Sequence, residues 1–287
     1  MLLAIDIGNT NTVLGLYRPL AGTTPARFEP APLAHWRVTT PDERTGAATT
    51  DEFAVLLRSL FESSSLALAD VTGICISSVV PPADSTLRRV CDLYFHLIPT
   101  FIEPGTRTGL PILTDNPAEA GADRIANCVA AYDRFHAPTI IVDMGTATTF
   151  DVVSAKGEFI GGAIAPGLGI SAEALFAKAA RLPRIDIRKP LKVIGTCTLD
   201  NLQIGLYYGY IGLVDGILER MIADLQAQQL ATGLPDTPIH IIGTGGLAPL
   251  IAEGSRYLKE LDPFLTLTGI RLVYERNLAH PVRRKRH

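Results

Sequence analysis

The sequence predicts an α/β protein made of two duplicated lobes, and three observations carry the prediction. Ala4-Ile5-Asp6-Ile7-Gly8-Asn9-Thr10-Asn11-Thr12 is an apolar strand ending on an acid, followed by a glycine and short polar side chains. The same pattern returns in Thr139 to Ser154, around Asp143, Gly145, Thr146 and Thr148. Asp6, Gly8 and Thr12 align with Asp143, Gly145 and Thr149 at an offset of about half the chain, the signature of an internal repeat. In each copy a second apolar strand follows the polar turn, so each reads as a hairpin. Between and after the copies, helical and strand patterns alternate, which is an α/β arrangement. The expected division is 1–120 and 121–287.

The elements follow in order. Leu2 to Tyr17 is the first hairpin, Arg18 to Pro32 a surface loop rich in Pro, Ala, Thr and Gly, and Leu33 to Val38 a third strand. Thr49-Thr50-Asp51-Glu52 caps a helix starting near Asp51, and Phe53, Leu56, Leu57 and Leu60 give it one apolar face. Val71 to Val80 is a strand, Asp84 to Phe95 a helix, and Leu97 to Ile102 a short strand. Pro111 and Pro117 break the hinge region before Gly121-Ala122-Asp123-Arg124 opens a helix striped by Ile125, Cys128, Val129 and Tyr132. After the second hairpin come a strand over Phe159 to Ala165 and a helix over Ile170 to Ala180. A long helix then runs from a cap at Thr198 to about Gln229. Its glycines at 205, 209, 212 and 216 share a face. Each mid-helix glycine costs about 1 kcal/mol against alanine, so this face is expected to pack closely on another helix, from the other lobe or from a second subunit. Ile239 to Gly246 is a strand with a glycine turn, Leu247 to Ala252 a short helix, and Leu265 to Val273 the closing segment.

Composition narrows the function classes. The chain has 287 residues, 47% of them hydrophobic and 19% charged, enough for sizeable cores and unlike a disordered chain. A net charge of −3 gives no sign of nucleic-acid binding. The basic cluster Arg283-Arg284-Lys285-Arg286-His287 reads as a solvated tail. No stretch approaches the roughly 18 apolar residues of a membrane span, and the N-terminus lacks a signal-peptide pattern. The cysteines at 75, 91, 128 and 197 form no Cys-x-x-Cys pair, so buried free thiols in a cytoplasmic protein are expected.

The polar turns carry the chemistry. Each exposes backbone N–H groups with little side-chain bulk, which suits phosphate, and an acid at a strand end can hold hydrated magnesium. The same Gly, Asn and Thr residues would serve plain turn geometry. Two such hairpins with a later glycine turn point to a nucleotide held in a cleft between the lobes. Several residues keep two readings. Ser77 and Ser78 line the cleft or finish a strand. Asp123 caps its helix or acts chemically. Gly161 to Gly169 approaches a ligand or forms a loop. Arg181, Arg184, Arg188, Lys189 and Lys192 hold an anion or form a solvated face.

Asp6-Ile7-Gly8-Asn9-Thr10, Ser77-Ser78-Val79-Val80-Pro81, Asn116-Pro117, Gly121-Ala122-Asp123-Arg124, Asp143-Met144-Gly145-Thr146-Ala147-Thr148 and Thr244-Gly245-Gly246 occur in this order. Together they resemble the type III pantothenate kinases over nearly the whole chain, within the superfamily of acetate and sugar kinases, Hsp70 and actin. The resemblance implies ribonuclease H-like lobes and ATP-dependent phosphorylation of pantothenate. It assigns Asp123 as general base and Gly121, Ala122, Asp123, Arg124 and Thr198 to pantothenate. ATP would be held by Asp6, Ile7, Gly8, Asn9, Thr10, Asn11, Thr12, Val13 and Thr146. Asp6 would help hold Mg2+, in part through water, and Asp143 would bind a monovalent cation, K+ or NH4+. From the residues alone, Asp143 equally suits a divalent ion. A homodimer is the assembly implied. Where family members often carry a tyrosine before Asn-Pro, this chain has Thr114, and its loop from Arg18 to Pro32 is longer. A non-catalytic regulator resembling the Bvg accessory factors is the rival reading from another class. Intact Asp6 and Asp123 speak against it.

Overall fold

The computed structural model describes residues 1–40, 49–179, 182–232 and 237–278. Arg181 and the C-terminal basic cluster lie outside the described residues. The chain forms two compact units, 1–130 with 264–287, and 131–263. That division differs from the expected cut after residue 120, because the C-terminal segment packs on the first sheet.

In chain order, β1 (Leu2–Ile7), β2 (Asn11–Tyr17) and β3 (Ala34–Thr39) form an antiparallel meander. Next come α1 (Thr50–Ser63), β4 (Gly73–Ser78), α2 (Pro81–Phe95), β5 (Thr100–Phe101) and α3 (Ala122–Phe135). The second unit holds β6 (Thr139–Met144), β7 (Ala147–Val153), β8 (Phe159–Pro166), α4 (Leu168–Lys178), α5 (Thr198–Thr232), β9 (His240–Thr244), α6 (Ala248–Ala252) and β10 (Glu260–Leu261). The closing segment is a helix, α7 (Leu265–Leu278).

The sheet orders are β3-β2-β1-β4-β5 and β10-β9-β6-β7-β8. In both, a three-stranded antiparallel meander is extended by parallel strands beside its first strand. The expected duplication is therefore present at the level of topology. The pairing also corrects one detail of the alignment. Asp6 lies opposite Val13 and Ile7 opposite Thr12, whereas Asp143 lies opposite Thr149 and Met144 opposite Thr148. The first turn is one residue longer, so Thr12 corresponds to Thr148. Both threonines are buried.

Local chemistry explains the helix boundaries. Thr49 caps α1 in a capping box: its hydroxyl accepts from the Glu52 N–H, while the Glu52 carboxylate accepts from the Thr49 N–H. Proline at its first turn starts α2, and left-handed His96 (φ 54°) stops it. Phe53, Leu57 and Phe61 of α1 and Leu87 and Val90 of α2 pack on Leu3, Ile5, Ile7, Leu14 and Leu16. Alternation along β1 turns Ala4 and Asp6 to the opposite face, where α7 lies against β1, β2 and β4. Glycines allow that approach: a Cβ on Gly15 would fall 2.9 Å from Leu267, and one on Gly73 would fall 1.9 Å from the Tyr274 hydroxyl. The start of α3 joins the same packing, since a Cβ on Gly269 would overlap the Ala126 carbonyl and Thr266 donates to Asn127 Oδ1 at 2.8 Å.

The loop from Arg18 to Pro32 is not purely superficial. Phe28 is buried, and its N–H donates to Glu275 Oε1 at 2.9 Å. The second unit has its own core, in which Val142, Phe150, Tyr207, Val214, Leu218 and Ile251 meet.

Candidate active site

The first hairpin places the half-buried acid Asp6 one residue before the end of β1 and turns through exposed Asn9 and Thr10. The Gly8 N–H donates to the Asn11 carbonyl at 3.0 Å, closing the turn. A Cβ on Gly8 would sit 3.1 Å from that carbonyl, so a larger residue would crowd the turn. The turn is tied to the end of β3: the Thr40 N–H donates to the Thr10 carbonyl at 2.9 Å, and the Thr12 and Thr40 hydroxyls share a bond at 2.9 Å. Of the expected ATP-binding run, Ile7 and Thr12 turn their side chains inward, so any contact of theirs with a ligand is through backbone. Asp6 Oδ1 accepts from the Ser77 hydroxyl at 2.9 Å.

The second segment of unit 1 is Gly121-Ala122-Asp123-Arg124. The Gly121 carbonyl accepts from the Ile125 N–H at 3.0 Å, so Gly121 occupies the cap position and Asp123 lies inside the first turn. Asp123 is therefore not the backbone cap, although its Oδ1 accepts from the Arg124 N–H at 2.8 Å. Burial pushes its carboxyl above the usual range, while the Arg124 N–H and guanidinium act in the opposite sense. Gly121 makes room for it, because a Cβ there would fall 2.6 Å from Asp123 Oδ1. Gly121→Ala should displace the Asp123 carboxylate with little change in Tm, and a structure of the variant with that carboxylate unmoved would contradict it.

A cavity of about 540 Å³ flanks this segment, walled by Ile102, Leu110, Ile112, Asn116, Ala120 and Ile125. The loop along one side is strapped to α7: Arg276 donates to the Thr108 carbonyl, and Asn277 Nδ2 donates to the Arg107 carbonyl at 3.0 Å. The hydroxyl of Thr114 is buried without a hydrogen-bond partner among the described residues.

Unit 2 carries the second hairpin, with Asp143 half-buried and Gly145 and Thr146 exposed. Its turn is braced by residues that sequence reasoning did not single out for this role. A Cβ on Gly167 would fall 2.2 Å from the Thr146 carbonyl, and one on Gly245 (φ +95°) would fall 2.5 Å from the Met144 carbonyl. Both glycines thus let backbone close around the turn. Tyr210 of α5 bonds the Thr148 hydroxyl and donates to the Pro166 carbonyl at 3.3 Å. The small residues after β8 were the visible signal for Gly167. Tyr210 had none, because its partner is 62 residues away.

Thr198 is exposed and is the first residue of α5, not its cap; the first helical bond runs from the Asn201 N–H to the Cys197 carbonyl. The basic loop before it is paired at the surface, with Arg184 on Glu173 (3.0 Å), Lys189 on Glu253 (3.4 Å) and Lys192 on Asp200 (3.1 Å). Those pairs favour the solvated-face reading.

The donor set fits magnesium. Asp6 offers a hard, half-buried carboxylate next to the turn of residues 8–11, and Mg2+ commonly takes one or two carboxylates plus substrate phosphates. No cluster of three or more His, Cys, Asp or Glu side chains suited to a metal occurs among the described residues, and that binding mode requires none. No helix among the described residues is long and apolar enough to cross a membrane.

Comparison with known proteins gives concordant matches. The family model described as type III pantothenate kinase matches residues 2–220. A type III pantothenate kinase from Koribacter versatilis is 51% identical over 285 residues, covering 99% of each chain. One from Acidobacterium capsulatum is 54% identical over 279 residues, covering 97% of this chain and 96% of the relative. Among solved structures, a protein described as a Baf family transcriptional activator from Campylobacter jejuni aligns with TM-score 0.57 and 18% identity, covering 96% of this chain and 98% of that one. A 2-dehydro-3-deoxygalactonokinase homologue from Sinorhizobium meliloti aligns with TM-score 0.51 and 12% identity, over 98% and 100%. At those identities the two structures speak to the fold alone.

Proposed function

The chain belongs to the type III pantothenate kinases, which phosphorylate pantothenate with ATP in coenzyme A biosynthesis, and we propose that Asp123 is the base of that reaction. The supporting observation is the Asp123 carboxylate, held inside the first turn of α3 against the Arg124 N–H, with its pKa raised by burial. A primary alcohol hardly ionises at neutral pH, so a carboxylate poised to accept its proton assists the transfer. As the alcohol oxygen bonds to the γ-phosphorus, the bond to the β–γ bridging oxygen breaks. The alcohol proton passes to Asp123, and ADP leaves with the bridging oxygen. Arg124 would balance charge on the phosphoryl group or orient substrate oxygens.

The remaining roles follow the same reading. The backbone of Asp6 to Val13 and Thr146 would hold ATP phosphates. Gly121, Ala122, Arg124 and Thr198 would contact pantothenate. Magnesium, held with the help of Asp6, supplies neutralisation of phosphate charge. Asp143 would take potassium or ammonium. The enzyme would work in the cytoplasm, without nucleic-acid or membrane partners.

A homodimer belongs to this reading as well. Among the described residues, beta carbons placed on Gly205, Gly209 and Gly212 of α5 meet no atom within 4 Å beyond the helix's own backbone, and Leu199 and Tyr208 on the same helix expose apolar surface. A second copy packed on the glycine face would recover the cost of those residues. A monomer by analytical ultracentrifugation at micromolar concentration would overturn the dimer.

The activity is tested by ADP release with ATP, Mg2+ and K+. Release should require pantothenate and should fall when Na+ replaces K+. Release unchanged by omitting pantothenate would contradict the reaction, and indifference to the ion would remove the role given to Asp143.

A further inference from the structure

The two carboxylates given to cations share a feature that the repeat makes visible. Asp6 near the end of β1 lies opposite Ser77 on its parallel neighbour β4, and Asp143 on β6 lies opposite Thr244 on its parallel neighbour β9. In each unit a buried hydroxyl residue thus stands beside the acid, Ser77 being 0% and Thr244 4% exposed. For the first pair the bond is direct, with the Ser77 hydroxyl donating to Asp6 Oδ1 at 2.9 Å. A parallel ladder keeps these residues in register, and side chains opposite one another on adjacent strands lie on the same face. The buried Ser77 hydroxyl has the Asp6 carboxylate as its partner. A carboxylate that accepts from one is held in a single orientation.

We propose that Ser77, through its hydrogen bond to Asp6, and Thr244, through the matching register beside Asp143, are positioning residues that set the two acids for their cations. The inference rests on the cation roles given above to Asp6 and Asp143. Neither hydroxyl touches substrate; each acts through its acid. Loss of such an outer-shell partner typically lowers metal affinity or activity 10- to 100-fold. The adjacent Ser78 serves a different end, donating to Asp84 at 2.6 Å in the first turn of α2. Position along β4 therefore separates a site hydroxyl from a structural one.

The test compares Ser77→Ala, Thr244→Val and Thr244→Ser with wild type. Ser77→Ala should raise the Mg2+ concentration for half-maximal rate about tenfold and leave the KM for pantothenate unchanged. Calorimetry with a non-hydrolysable ATP analogue should show its Mg2+-dependent gain in affinity reduced by a similar factor. If Ser77→Ala does not fold, Ser77→Cys keeps the volume while weakening the donor and should show the same split. Thr244→Val should raise the K+ requirement and diminish the K+-dependent rise in Tm, and Thr244→Ser should restore both. A lower Tm with unchanged cation dependence would overturn the proposal. Asp6→Asn and Asp143→Asn serve as references. If they too leave cation dependence unchanged, the underlying cation assignments fail. If they change it while the hydroxyl variants do not, only the positioning role fails.

Discussion

Asp123→Asn should abolish pantothenate-dependent turnover, with a loss of about 10²- to 10⁴-fold, the usual contribution of a positioned general base, while the fold stays intact. The side chain keeps its shape and can still accept from the Arg124 N–H at the same oxygen. Burial raises the Asp123 pKa in the folded state. By linkage, its contribution to stability is full below the unfolded value and is lost as pH rises through the folded one. Near pH 7 the ionised carboxylate therefore costs stability, and the neutral amide removes that cost. The variant should unfold at the same temperature as wild type or a higher one at pH 7. The wild-type enzyme should also lose kcat/KM as pH falls through the raised pKa, with an acid limb lying above the ordinary aspartate range. A variant that retains wild-type turnover would discard the base. One that is inactive and unfolded would leave the loss unrelated to proton transfer, and Asp123→Ser then serves as the second variant, with the same expected separation of activity from Tm.

The other large effect is structural. Glu275→Ala should destabilise the protein by about 3–5 kcal/mol, the range for breaking a buried ion pair by removing one partner. Glu275 is 3% exposed and accepts from Arg271 at 2.7 Å, from Arg27 at 3.0 Å and from the Phe28 N–H at 2.9 Å. Arg271 is itself buried and would lose its counter-charge inside α7. The exposed Arg27 contributes little to the sum, so Arg27→Ala should change stability by less than about 1 kcal/mol. Chemical denaturation of the two variants measures the difference. Equal effects would show that the network is not dominated by its buried half. Because Glu275 joins the long loop after β2 to the last helix, its loss should also free Phe28 from the core, read as faster amide exchange across 27–28.

Most of the architecture was legible because periodicity and punctuation are local. Thr49 and Glu52 announced a capped helix, and β1 and β6 announced buried strands ending on acids. The repeated hairpins announced two related sheets, and the ordered motifs announced the family. Where the reading failed, the outcome depended on pairing and packing that residue type alone does not report. The alignment of Thr12 with Thr149 slipped by one, because turn length is set by strand pairing and not by residue type. Thr198 looked like a cap because its type favours one, yet the helix begins on it. The last helix was assigned to the second half by its position, although its partners are Gly15 and Gly73 of the first sheet.

The sequence by itself determined the duplication, the acids at the two strand ends, the kinase family and the order of its elements, since each is written in patterns a few residues long. Only the tertiary structure decided what surrounds those acids. Ser77 beside Asp6, Gly121 beneath Asp123, and Gly167 and Gly245 around the second turn are contacts made by close packing of distant or sterically critical atoms. The pKa of Asp123 belongs to the same class, because it follows from burial, and burial is a property of the folded chain.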